Sequence, residues 1–122
     1  MVNSPSAMKA RTTAFALDVL EFARGLPASE SLVDIQRQLT RSATAVGANY
    51  RSACRSRSRA EFIARIGIVL EEADESAFWF EILVEQPSAL NRRRALALLE
   101  EANQLTAILA ATRITASRTG AR

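Results

Sequence analysis

Histidine is absent from these 122 residues, cysteine occurs once, glycine four times and proline three times. Without histidine there is no imidazole to act as a general base, nor to complete the Glu-x-x-His pairs of a di-iron carboxylate bundle. The acidic run Glu71-Glu72-Ala73-Asp74-Glu75 therefore reads as a solvated helix face, and no metal is expected. The four glycines are scattered and form no phosphate-cradling loop. Nucleophilic catalysis lacks a base to activate a serine or Cys54. A non-enzymatic protein without cofactor is the expectation.

The single cysteine, Cys54, cannot make an internal disulfide, which agrees with a reducing cytoplasm. Its neighbours Arg51 and Arg55 would favour a thiolate, whereas a passive thiol near a turn is the simpler reading, and its role stays open. Lys9 and Arg11 precede an apolar run that Asp18 and Glu21 interrupt, which makes a poor secretory signal. The late uncharged run from Ala102 to Thr112 is shorter than the roughly 20 residues that cross a bilayer. A cytoplasmic location away from the membrane follows as an expectation.

What the chain does contain is apolar surface in helical register. Hydrophobic residues make up 48% of a length that suits one domain, 1–122, with loose ends at about 1–7 and 117–122. Gly25-Leu26-Pro27 and Gln86-Pro87-Ser88 break the pattern. Ser58-Arg59-Ala60-Glu61 reads as a capping box between them. Ser31 before Asp34, and Ser88 or Asn91, are candidate caps for the second and fourth segments.

Steps of three and four recur in each segment. The second gives Leu32, Ile35, Leu39, Ala43, Val46 and Tyr50; the third Phe62, Ile66, Val69, Ala73, Ala77, Phe80 and Leu83 or Val84. The fourth gives Ala95, Leu98, Leu99, Ala102, Leu105 and Leu109, and the first a weaker Ala14 or Phe15, Leu17 or Asp18, and Phe22. Such stripes predict an all-α, antiparallel up-down-up-down four-helix bundle. Gly47 and Gly67 fall level across the second hairpin, which predicts a close crossing of its two helices there.

Between Ala77 and Val84 only Glu81 is polar, more apolar surface than one core needs. Phe78, Trp79 and Ile82, with Ile108 and less clearly Ile114 on the last segment, are candidate subunit contacts in a homo-oligomer. Charge is uneven although the net is only +3. Seven arginines against Glu61 alone lie between Ile35 and Leu70, and six acids with no base lie between Glu71 and Leu90. Arg51, Arg55, Arg57 and Arg59 crowd the predicted turn, where guanidinium forks suit phosphate oxygens. Two readings stay open: a nucleic-acid site for RNA or DNA, or a solvated corner of a structural or protein-binding ring. Tyr50 sits on the core stripe, so little supports base stacking, and Arg41 lies level with Glu71 and Glu72 as a structural pair.

The run IQRQLTRSATAVGANYRSACRSRSRAEFIARIGIVLEEADESAFWFEIL carries a family resemblance. With Gln38-Leu39, Arg41, Ala43, Val46, Asn49, Arg57-Ser58, Glu61-Phe62 and Glu75, the chain from about Ala14 to Thr112 resembles bacterial four-helix-bundle proteins related to those encoded in intervening sequences of ribosomal RNA genes. Gly47 and Arg51-Ser52-Ala53 replace a proline and an Ala-Glu-Gly step found in many members, so it is similar to a GANYR/RSRAEF branch. The resemblance implies a homopentameric ring whose seams involve the surplus apolar residues. Accessory proteins of diversity-generating retroelements, similar in fold, are basic pentameric barrels that work with a reverse transcriptase and nucleic acid. A nucleic acid and a protein encoded nearby are the partners this likeness implies, alongside the chain itself.

Overall fold

The computed structural model describes residues 3–87 and 91–120. They form four helices: α1 (Pro5–Arg24), α2 (Glu30–Cys54), α3 (Arg59–Val84) and α4 (Arg92–Gly120). Each start has a local cause. Ser4, Ser29 and Ser58 adopt extended backbone and accept the amides of Ala7, Leu32 and Glu61 on their hydroxyls. Asn91 accepts the Arg94 amide on its side-chain Oδ1 at 3.0 Å, while Ser88 lies outside the described residues. The cap of α2 is thus Ser29 rather than Ser31, one half-turn earlier than expected, because Ser29 already has the extended backbone the cap requires. Ser4 followed by Pro5 starts α1 within the end that reads as loose, and α4 runs through to Gly120.

Sequential helices pack against one another, and α1 closes the ring of four against α4. The backbones of diagonal helices do not approach closely among the described residues, which is the arrangement of an antiparallel up-down-up-down bundle. Inside it the stripes of α2, α3 and α4 meet as expected, with Leu39, Val46, Ile66, Val69, Phe80, Leu105 and Leu109 fully buried. Phe22 and Phe80 pack ring against ring, centroids 5.6 Å apart. Each such side chain contributes about 1.5 to 3 kcal/mol through apolar burial.

The inward stripe of α1 differs from the expected one. Met8, Thr12, Phe15, Val19 and Phe22 are buried, whereas Leu17 is 60% exposed and Asp18 faces Arg94 at 3.5 Å. Thr12 hides a polar group in this stripe by donating its hydroxyl to the Met8 carbonyl at 2.8 Å. The seam between α2 and α3 is also partly polar. Ser42 and Ser76 share a buried hydroxyl contact of 2.9 Å, and their hydroxyls also reach the Leu39 and Glu72 carbonyls. Arg41 grips Glu72 at 2.9 and 3.3 Å and Glu75 at 2.6 Å, so Glu75 takes the place expected of Glu71.

Gly47 and Gly67 do not face each other. A side chain on Gly47 would first meet the Thr12 carbonyl of α1 at 3.5 Å, whereas one on Gly67 would meet the Arg113 guanidinium of α4 at 3.4 Å. Equal height on two helices leaves the direction of each side chain free, and these two point to different neighbours. The close approach is therefore between α2 and α1. Rigid backbone opposes growth at Gly47, and a movable side chain covers Gly67.

Tyr50 is the last large core residue before the end of α2, only 4% exposed. Burial, reinforced by the adjacent Cys54 thiol, pushes its phenol up to about 12. The unfolded chain releases that proton near the ordinary value of about 10, so the folded state holds more protons between those two values. Stability should fall as pH rises from about 10 to about 12, and Tyr50→Phe should remove that part of the decline in thermal melts. Gly67→Ala should raise stability by about 0.5 to 1 kcal/mol through helix propensity. Gly47→Leu should cost about 1 to 3 kcal/mol by overpacking against α1, and equal denaturation midpoints for Gly47→Leu and Gly67→Leu would contradict this assignment.

Candidate nucleic-acid interface

Residues 55–58 join α2 to α3, and the way this turn closes decides where the arginines point. The amides of Arg55 and Ser56 return to the carbonyls of Ser52 and Ala53, both at 3.1 Å. Ser58 accepts the Glu61 amide at 3.1 Å, the expected half of a capping box. The reciprocal half is shifted by one residue: the Glu61 carboxylate accepts the amide of Arg57 at 3.4 Å. Glu61 also pairs with Arg65 at 2.8 Å, one helical turn on. Arg65 then reaches across the hairpin to donate to the carbonyl and hydroxyl of Ser52. One carboxylate thus holds a turn amide and anchors an interhelical bridge.

Around this lock lie two open clefts. The first, about 680 Å³, is lined by Arg51, Arg55, Arg57 and Arg65, with Ala48, Ser52 and Glu61 completing it. The second, about 510 Å³, lies between α1 and α2 and is lined by Lys9, Ala10, Thr13, Ala14 and Leu17, again with Arg51 and Arg55. Arg51 and Arg55, four residues apart on one helix face, therefore form a wall common to both. Arg59 lines neither cleft, because it occupies the first turn of α3 beyond the corner.

Of the four arginines expected to act together, the structure gathers Arg51, Arg55 and Arg57 and leaves Arg59 apart. Lys9 and Arg65 join the site without having been singled out as site residues. The signal for Arg65 was present, since it stands in the second turn of α3, across the short connection from Ser52 near the end of α2. Lys9 carried no such signal, because its approach depends on how α1 lies against α2.

None of Arg51, Arg55, Arg57 and Arg59 forms an ion pair among the described residues, while Arg11, Arg37, Arg41, Arg65 and Arg94 each do. Three guanidinium groups without carboxylate partners thus share one concave surface. Guanidinium groups cannot lose their charge and present fixed donor forks, so this surface suits bidentate contact with phosphate oxygens.

A third pocket, about 440 Å³, contains Tyr50, Cys54, Ser56, Ser58 and Phe62. Cys54 is a free, half-buried thiol that lines this pocket and neither arginine cleft. The sequence neighbours Arg51 and Arg55 turn away from it. Ser56 Oγ is buried without a hydrogen-bond partner among the described residues.

The apolar residues expected at subunit contacts fall into two places. Phe78 is 49% exposed and its ring meets Trp79 edge-on at 5.0 Å. Trp79 is half-buried, and its indole N–H donates to Glu75 at 3.1 Å, extending the Arg41 cluster. Ile82 is half-buried one turn further on. Ile108 lies apart, in a groove with Phe62, Ala111 and Thr112. Among the described residues no three acidic or cysteine side chains gather as metal ligands, and no helix is long and apolar enough to cross a membrane.

Comparison with known proteins agrees with this architecture. A crystal structure of a protein of unknown function from the S23 ribosomal protein family of Bacteroides thetaiotaomicron superposes with a TM-score of 0.79 at 26% identity, over 89% of this chain and 96% of that one. No curated protein matches this chain. Residues 7–111 match the 23S rRNA-intervening sequence protein family, the family of the resemblance carried by the second hairpin, and the chain belongs to it.

Proposed function

We propose that this protein is a non-enzymatic, homo-oligomeric bundle that holds RNA or DNA by its phosphates through the arginine-lined end of the α2 and α3 hairpin. One observation carries the reading: Arg51, Arg55 and Arg57 share a cleft whose one carboxylate, Glu61, is paired with Arg65. The negative end of the α2 dipole favours a cation in the last turn, where Arg51 stands, by about 0.3 to 1 kcal/mol. That accounts for one arginine, and three in mutual repulsion call for a counter-charge from outside. Phosphate supplies it, with affinity that weakens steeply as salt rises. The site offers no arrangement that reads sequence.

The assembly in this proposal is the ring of five implied by the family, closed through Phe78, Trp79, Ile82 and Ile108. Five hairpin ends on one rim would add their fields and steer an anionic partner. A protein encoded nearby is the expected companion, inside the cytoplasm. A second reading, a structural or protein-binding ring without nucleic acid, draws support from the exposed Phe78 beside Trp79.

Light scattering on the purified chain should give a mass about five times 13.3 kDa. Fluorescence anisotropy with labelled RNA and DNA should show binding whose logarithmic salt slope falls by about 0.9 for each phosphate contact removed. Replacing Arg51, Arg55, Arg57 and Arg59 by glutamine should abolish binding without changing that mass. Arg59→Gln alone, outside both clefts, should have little effect. Flat curves at low salt would overturn the nucleic-acid reading and favour the second.

A further inference from the structure

The shared wall between the two clefts says which form of nucleic acid fits. Arg51 and Arg55 line both, so they stand as a ridge with a concave surface on either side. Each side has a further cation of its own, Arg57 on one and Lys9 on the other. The one acid in either lining, Glu61, is bound to Arg65. No aromatic side chain lines either cleft, so neither offers a platform on which an unpaired base stacks.

A single strand has one backbone and would occupy one cleft. The groove of a duplex is bounded by two backbones, and a basic ridge entering it finds phosphates on both flanks. Resting on the reading that this end of the bundle binds nucleic acid, we propose that the ligand is double-stranded, with the Arg51 and Arg55 ridge facing a groove and one phosphate backbone in each cleft. Arg57 and Lys9 then hold opposite strands. Recognition is by backbone geometry, since the ridge offers charge to both strands and a sequence code to neither.

The test compares a labelled duplex of about 20 base pairs, as RNA and as DNA, with its component single strands, using the whole chain at several salt concentrations. Duplex binding should exceed single-strand binding at least tenfold. The RNA and DNA arms distinguish which duplex geometry fits the ridge. Arg57→Gln and Lys9→Gln should each weaken duplex binding several-fold and lower the salt slope by about 1, with melting temperatures unchanged. Equal affinity for duplex and strand would overturn the proposal while leaving a nucleic-acid site in place. So would loss of binding with only one of the two variants, because a single backbone would then account for the contacts. Absence of binding to any of these probes would overturn the underlying reading as well.

Discussion

The fold depends first on closing α2 against α3 with only residues 55–58 between them, and Glu61 is the group that makes this possible. Its carboxylate satisfies a turn amide and orients Arg65, which fastens the start of α3 to the end of α2 through Ser52. Glu61 is the only acid between Ile35 and Leu70, so committing it to the turn leaves no local carboxylate for the neighbouring arginines. The local folding requirement and the charged surface are thus two sides of one assignment. A second acid at this corner would give the neighbouring arginines a carboxylate and lower the positive charge of this end.

Elsewhere charges are handled differently. The contact between α1 and α4 is the least extensive of the four seams, and it is the one bridged by Arg11 to Glu101 and by Arg94 to Asp18. Arg11 donates to both carboxylate oxygens at 2.7 and 2.8 Å and adds Gln104 at 2.8 Å. Half-exposed pairs of this kind contribute little stability, about 0 to 1 kcal/mol each. Their value lies in register, because a bidentate fork accepts its carboxylate in few geometries. Stability itself rests on the buried stripes, and the Arg41 cluster repeats the same device across α2 and α3.

The architecture was legible because α2, α3 and α4 each bury a stripe unbroken by charge, flanked by glycine, proline and serine signals. The α1 stripe was misread where polarity misleads: Thr12 is buried because its own helix satisfies it, and Leu17 is exposed because it lies off the stripe. The glycines were given the wrong neighbour, since residue numbers do not tell which way a helical position faces and packing does. The same distinction governs the site. Crowding of arginines at the turn was visible, whereas the exclusion of Arg59 and the recruitment of Lys9 depend on the turn's path and on the lie of α1.

In the proposed function, the pairing of Glu61 with Arg65 leaves Arg51, Arg55 and Arg57 without a carboxylate partner and so creates the binding surface. Ala48 lines the first cleft, is exposed on α2, and stands one turn before Arg51, so a glutamate there would supply the missing charge without touching the core. The most direct measurement is the anisotropy of a labelled duplex titrated with Ala48→Glu beside the unaltered chain at low salt. The account expects binding to weaken at least tenfold with an unchanged melting temperature. Equal affinity in the two proteins would contradict it.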